Sequence, residues 1–195
     1  MTEYIANKIT IWLLNNKLIN EEDFELYYLG NEVIVSTGTT FFIILCIGFW
    51  LSNLAGAIIF LICFMSIRSF SGGYHAKTRL GCLGTTVISY IGSYFITNLQ
   101  MKYADDMQLE IWGLEIFISY LIFYEYAPIE NKNKKFLPGW KKRNRNWMFA
   151  VIACWIIAGM LISVINTEIT SQIFNIVFII SMLVLKARRE DYAEN

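Results

Sequence analysis

The chain has 195 residues, of which 56% are hydrophobic and only 16% charged, with Lys+Arg and Asp+Glu balanced at 16 each. A soluble domain normally carries about a quarter charged residues, so this composition excludes an ordinary water-soluble globule and points to an integral membrane protein. Zero net charge gives no reason to expect nucleic acid as a partner.

The N-terminal segment, MTEYIANKITIWLLNNKLINEEDFELYY, lacks an apolar core followed by a small-residue cleavage site, so no cleaved signal peptide is expected. Within 1–31 it places Ile5, Ile9, Trp12 and Leu13 on one helical face, away from Asn7, Lys8 and Asn15. That pattern suits an amphipathic helix lying in the membrane interface, or equally one docked on a bundle.

Six apolar runs follow, near 33–51, 54–67, 82–99, 108–127, 147–165 and 169–185. A crossing takes about 20 helical residues, so the second run is short on this count. Ser52-Asn53 joins the first pair and Asn166-Thr167-Glu168 the last, giving two tight helical hairpins. Pro128 and Pro138 both fall between the fourth and fifth runs, so no span is broken by proline. The expected fold is therefore all-α, a single domain over 1–195 built as a six-transmembrane-helix bundle. In the third run Gly81, Thr85, Ser89 and Ser93 recur every four positions, a stripe that lets another helix approach closely. Glu115 lies inside the fourth run, where a carboxylate is costly; Ser93 or Tyr94 are candidate partners. Glu125 is placed to reach the interface.

Cation placement orients the bundle. Six spans put Lys8, Lys17, Arg68, Lys77, Arg79, Lys132, Lys134, Lys135, Lys141, Lys142, Arg143, Arg145, Lys186, Arg188 and Arg189 on one side and Lys102 alone on the other. Positive charge stays cytoplasmic, so both termini, the 68–82 loop and the basic 128–146 loop are expected there.

The loop RSFSGGYHAKTRLGC, residues 68–82, holds the only histidine, His75, and the cysteine seven positions later, Cys82. Cys46, Cys63 and Cys154 sit inside apolar runs, where a thiol behaves as a small hydrophobe. A helix beginning near Thr78 would put Cys82 in its first turn, where the helix dipole favours a thiolate. Seven residues along one helix separate two backbones by about 10 Å, so a Cys–His dyad requires His75 to sit outside the helix. Gly72-Gly73 provide the backbone freedom for that turn. Gly81 and Gly84 leave the backbone near the sulfur uncovered. The same residue types also describe a solvated histidine and an inert thiol. One histidine and one nearby cysteine leave two of the four ligands of a zinc site unaccounted for.

This segment resembles the signature of the accessory gene regulator B (AgrB) family, quorum-sensing membrane peptidases of Gram-positive bacteria. The shared elements are an arginine closing a span, a Gly-Gly-Tyr-His-Ala run, and a cysteine seven residues after the histidine. YAPIENKNKK, residues 126–135, is similar to the Ala-Pro segment and basic run that follow the fourth span in that family; Phe136 departs from it where a proline is expected. The resemblance implies a cysteine endopeptidase of the cell membrane, with no cofactor or metal, that removes the tail of a small AgrD-like precursor peptide so that it can close into a thiolactone or lactone autoinducing signal. It implies Cys82 as nucleophile, His75 as general base, Arg68 and Gly73 as supporting residues, and Lys132 and Lys134 as members of the basic run; the seven cations of Lys132–Arg145 suit an acidic precursor tail, and equally the orienting of spans and anionic lipid. A homodimer surrounded by membrane lipid is expected. A peptide exporter without chemistry of its own, and a non-enzymatic membrane scaffold, are the competing classes.

Overall fold

The computed structural model describes residues 2–72, 79–129 and 139–193. All regular structure among them is helical: α1 (Thr2–Asn15), α2 (Phe24–Trp50), α3 (Leu54–Ser71), α4 (Arg79–Tyr103), α5 (Gln108–Tyr126), α6 (Trp140–Ser163) and α7 (Thr167–Ala193), with short 3₁₀ turns before α2 and α5. Five of these, α2, α3, α4, α6 and α7, are long and apolar enough to cross a membrane. The other long helix, α5, carries Glu110, Glu115 and Glu125 within nineteen residues.

The apolar runs under-read helix length, because polar residues extend several helices past their hydrophobic stretch. The second run becomes eighteen residues once Arg68–Ser71 complete the last turn of α3. The sixth helix starts at Trp140, so Lys141, Lys142, Arg143 and Arg145 ride on a helix rather than in a loop.

The two tight hairpins form as their polar residues require. Asn53 caps α3 by accepting the Gly56 backbone N–H at 3.0 Å, and Asn166 caps the start of α7 by accepting the Ile169 N–H at 2.9 Å. Each side chain satisfies a backbone donor that a helix start leaves without a partner. At the first hairpin, a side chain on Gly48 would collide with Ala57, so only glycine lets α2 and α3 cross this closely.

Helix α7 is the hub, packed against α3, α4, α5 and α6. Its stretch from Thr170 to Val177 is buried all round, which fits a helix enclosed by others rather than one with a single apolar stripe. The main apolar core joins Ile44, Phe60, Phe64, Tyr90, Phe123, Met148, Ile176, Ile180 and Val184, with the Phe60 and Phe64 rings stacked at 5.0 Å. Trp155 ties α6 to α3 by donating its indole N–H to Ser66 Oγ at 2.9 Å.

The N-terminal helix turns small residues rather than its bulky apolar face toward the bundle. α1 packs on α2 through Ala6 and Thr10, both fully buried, and Asn31 of α2 donates to Thr10 Oγ1 at 3.0 Å. Ile5, Ile9 and Trp12 remain exposed. Small residues one turn apart allow close approach to α2, which the bulky apolar face would prevent.

Candidate active site

The bundle has two ends. The turns at 51–53, 104–107 and 164–166 lie at one; the other carries the last turn of α3, the first turn of α4, the end of α5 and the start of α6. Cys82 belongs to the second end, at the fourth residue of α4, as the spacing predicts. Its side chain is partly exposed. The carbonyls of Gly81 and Cys82 are taken up by the hydroxyls of Thr85 and Thr86, at 2.8 and 3.0 Å. A side chain at Gly84, two positions on and so on another face of α4, would meet open space.

The contact that matters chemically comes from another helix. The guanidinium of Arg68, in the last turn of α3, lies in hydrogen-bonding and charge-interaction range of the Cys82 thiol. It also sits over the Phe64 ring, 5.2 Å from its centroid, which fixes the planar group on an aromatic face. Spacing alone does not reveal this pair: Arg68 and Cys82 are fourteen positions apart on different helices, and only the antiparallel pairing of α3 with α4 brings them together.

Gly72 terminates α3 with φ 66° and ψ −144°, a conformation that a side chain resists. His75 and Gly73 lie outside the described residues, as do Lys132 and Lys134, so the structure describes Cys82 and Arg68 of the sequence-derived set. On the far side of the basic loop, Arg145 reaches back from α6, donating to the Tyr124 carbonyl at 3.1 Å and lying 4.8 Å over its ring.

Glu115 has a partner that the sequence did not suggest. Gln100 Nε2 of α4 donates to its Oε1, rather than Ser93 or Tyr94. Around this pair runs a buried network across α4, α5 and α7. Asn175 Nδ2 donates to Gln100 Oε1 at 2.8 Å and to Thr97 Oγ1 at 3.0 Å. Ser171 donates to Gln108 Oε1 at 3.0 Å and accepts from the Trp112 indole at 2.9 Å. Gln100 is eighteen residues from Cys82 on α4, about 27 Å at helical rise, so this network does not belong to the thiol site. Glu125, as expected, is exposed.

Comparison with known proteins places the chain. The family model for Accessory gene regulator B matches residues 6–185. An AgrB-like protein 2 of Clostridium perfringens (strain 13 / Type A) is 26% identical over 146 residues, covering 73% of this chain and 68% of the relative. An AgrB-like protein of Clostridium perfringens (strain SM101 / Type A) is 26% identical over 150 residues with the same coverage. No solved structure matches. A match along nearly the whole chain, on an all-helical protein with a helix-end cysteine and a facing arginine, identifies it as a member of the accessory gene regulator B family.

Proposed function

We propose that this protein is a cysteine endopeptidase that cuts a small AgrD-like precursor peptide at the cytoplasmic face of the cell membrane of a Gram-positive bacterium. The observation that carries this reading is the Arg68 guanidinium against the Cys82 thiol in the first turn of α4. Family membership supports peptide processing as the task.

The chemistry follows from the residue types. Cys82 Sγ attacks the carbonyl carbon of the scissile peptide bond while His75 takes the thiol proton. The tetrahedral adduct collapses with cleavage of the C–N bond, and His75 returns the proton to the departing amine. Arg68 compensates charge on the sulfur as it enters and leaves its anionic form. The product is an acyl-thioester on Cys82, which retains the free energy of an activated acyl group. A thiol or hydroxyl of the precursor then attacks that thioester, closing a thiolactone or lactone and returning Cys82. Excluding water from the acyl-enzyme favours ring closure over hydrolysis, which suits a thiol at the rim of a bilayer. Gly73 supports the turn before His75, and Lys132 and Lys134 hold an acidic precursor tail through charges that act together at low salt.

The orientation in this reading is six spans with both termini inside. α5 is the sixth, its interior carboxylate accommodated by Gln100. At the Cys82 end stand Arg68, Lys141, Lys142, Arg143, Arg145, Lys186, Arg188 and Arg189, while Lys102 closes α4 at the other end, the asymmetry expected of a cytoplasmic and an outer face. α1 then lies at the inner interface with Ile5, Ile9 and Trp12 toward lipid, and a homodimer is the working unit.

The test is co-expression of the chain with its cognate precursor, comparing wild type with Cys82→Ala and His75→Ala. Tail release in the wild type and in neither variant is the expected result. Release by both variants overturns the peptidase reading in favour of an exporter or scaffold.

A further inference from the structure

The segment that leaves α5, Ala127–Pro128–Ile129, is anchored rather than free. The backbone N–H of Ile129 donates to the carbonyl of Ser71 at 3.1 Å. That carbonyl is among the last four of α3, which find no donor within their own helix, and here the donor comes from a different part of the chain. Ser71 is fully buried and Ala127 nearly so.

Gly72 closes around this contact. Its φ of 66° is one that L side chains rarely adopt, and a Cβ there would fall 2.5 Å from the Ile129 carbonyl oxygen. Because the obstacle is backbone, it cannot rotate away as the tip of a side chain would. The Gly72 N–H meanwhile donates to the Arg68 carbonyl at 3.2 Å. The last turn of α3, from Arg68 to Ser71, is thus held at its end by Gly72 and from outside by Ile129. This is the turn whose guanidinium meets Cys82.

We infer that Gly72 and the main chain of Ile129 form a clamp that positions Arg68 against the Cys82 thiol. The clamp deepens the proposed function, since its importance for peptide cleavage rests on that reading. Both are positioning residues, acting through Arg68. Ser71 and Gly72 meet the main chain of Ile129, while its side chain packs on the apolar core, so the clamp itself requires the N–H and not the side chain.

The experiment measures alkylation of Cys82 by iodoacetamide in the full chain in lipid nanodiscs, with Cys46, Cys63 and Cys154 replaced by alanine. Sγ displaces iodide, forming the S–C bond as the C–I bond breaks, with the thiol proton passing to buffer. Arg68→Gln is expected to slow alkylation about tenfold, the scale of losing a hydrogen bond to a charged group, and Arg68→Lys to restore part of the rate. Gly72→Ala and Ile129→Pro are expected to slow it about threefold to tenfold, the scale of a strained positive-φ position. Ile129→Ala keeps the N–H and carbonyl of the clamp and loses only side-chain packing on the core, so the folded protein should stay within about twofold of wild type. The deciding measurement is the double variant Gly72→Ala with Arg68→Gln. If the clamp acts through Arg68, it reacts no more than about twofold slower than Arg68→Gln alone. Multiplying effects, or a Gly72→Ala or Ile129→Pro protein alkylated at the wild-type rate, overturns the clamp. Should Gly72→Ala fail to fold, the same cycle with Ile129→Pro decides between these outcomes. Alkylation requires no precursor, so a wild type that cuts nothing defeats the peptidase reading alone, and additive alkylation defeats the clamp alone.

Discussion

The two ends of the bundle are held together by different forces. At the hairpin end α4, α5 and α7 meet through Gln100, Gln108, Glu115, Ser171 and Asn175, a network of amides, hydroxyls and one carboxylate in which nearly every donor finds an acceptor. Toward the thiol end the packing is apolar, through Phe64, Ile67, Phe123, Met148, Ile180 and Val184, with the Arg68 guanidinium beside the Cys82 thiol at its rim. In hydrocarbon, helices gain nothing from leaving lipid, so association relies on packing and interhelical hydrogen bonds. The polar end supplies that cohesion, with buried groups that would be costly to separate. At the apolar end the Arg68 guanidinium is the described side chain that reaches the Cys82 thiol. Among the described residues, buried side-chain hydrogen bonds between helices thus gather at the hairpin end, away from Cys82.

That division can be broken from either side. The largest effect belongs to Cys82→Ala and His75→Ala, each expected to reduce precursor cleavage by at least about 10³-fold, with thermal unfolding in detergent unchanged for Cys82→Ala; a cleavage assay beside a melting curve checks both halves. Arg68→Gln is next, expected to lower cleavage about tenfold to a hundredfold, in keeping with a charge-assisted hydrogen bond lost at the reacting atom. Arg68→Lys should recover only part, because an ammonium cannot lie flat on Phe64 and reach the sulfur with the same geometry. Comparing cleavage rates at saturating precursor separates this from weaker binding.

At the hairpin end Asn175→Leu should do the reverse. It removes the donor to Gln100 and Thr97 and leaves their acceptors unpaired, at a cost of about 1 kcal/mol or somewhat more. The observable is a lower unfolding midpoint with cleavage per folded molecule unchanged at low temperature. A loss of cleavage without a loss of stability would show that the two ends are coupled after all. The smallest effect is expected from replacing Lys132, Lys134 and Lys135 with glutamine, about a fewfold at low salt and vanishing as ionic strength rises. Cleavage that ignores both the substitutions and the salt would remove the basic run from substrate binding.

Much of this architecture could be read locally. Ser52-Asn53 and Asn166-Thr167 announce hairpins because asparagine at a helix start can satisfy a free N–H, and both do so. Cys82 falls in the first turn of α4 because polar and glycine-rich sequence stops one helix before an apolar run begins the next. Apolar runs fall short of the helices where charged residues such as Lys141 and Arg143 continue a helix beyond its apolar stretch, since hydropathy marks what lipid covers rather than where backbone hydrogen bonding ends.

What the sequence by itself determined is everything that depends on neighbours along the chain: an all-helical membrane protein, its hairpins, the clustering of cations, and a thiol poised at a helix start after a glycine turn. Which helix faces which was decided only by the tertiary structure. Arg68 against Cys82, Gln100 against Glu115, Ala6 and Thr10 against α2, and Ile129 against Ser71 each join residues distant in sequence. Apolar periodicity says that a helix will be buried in lipid or protein, but lipid and protein are nearly equal solvents for it. The choice of partner therefore falls to steric fit and to a few polar groups that must find one another, and those are properties of the packed bundle.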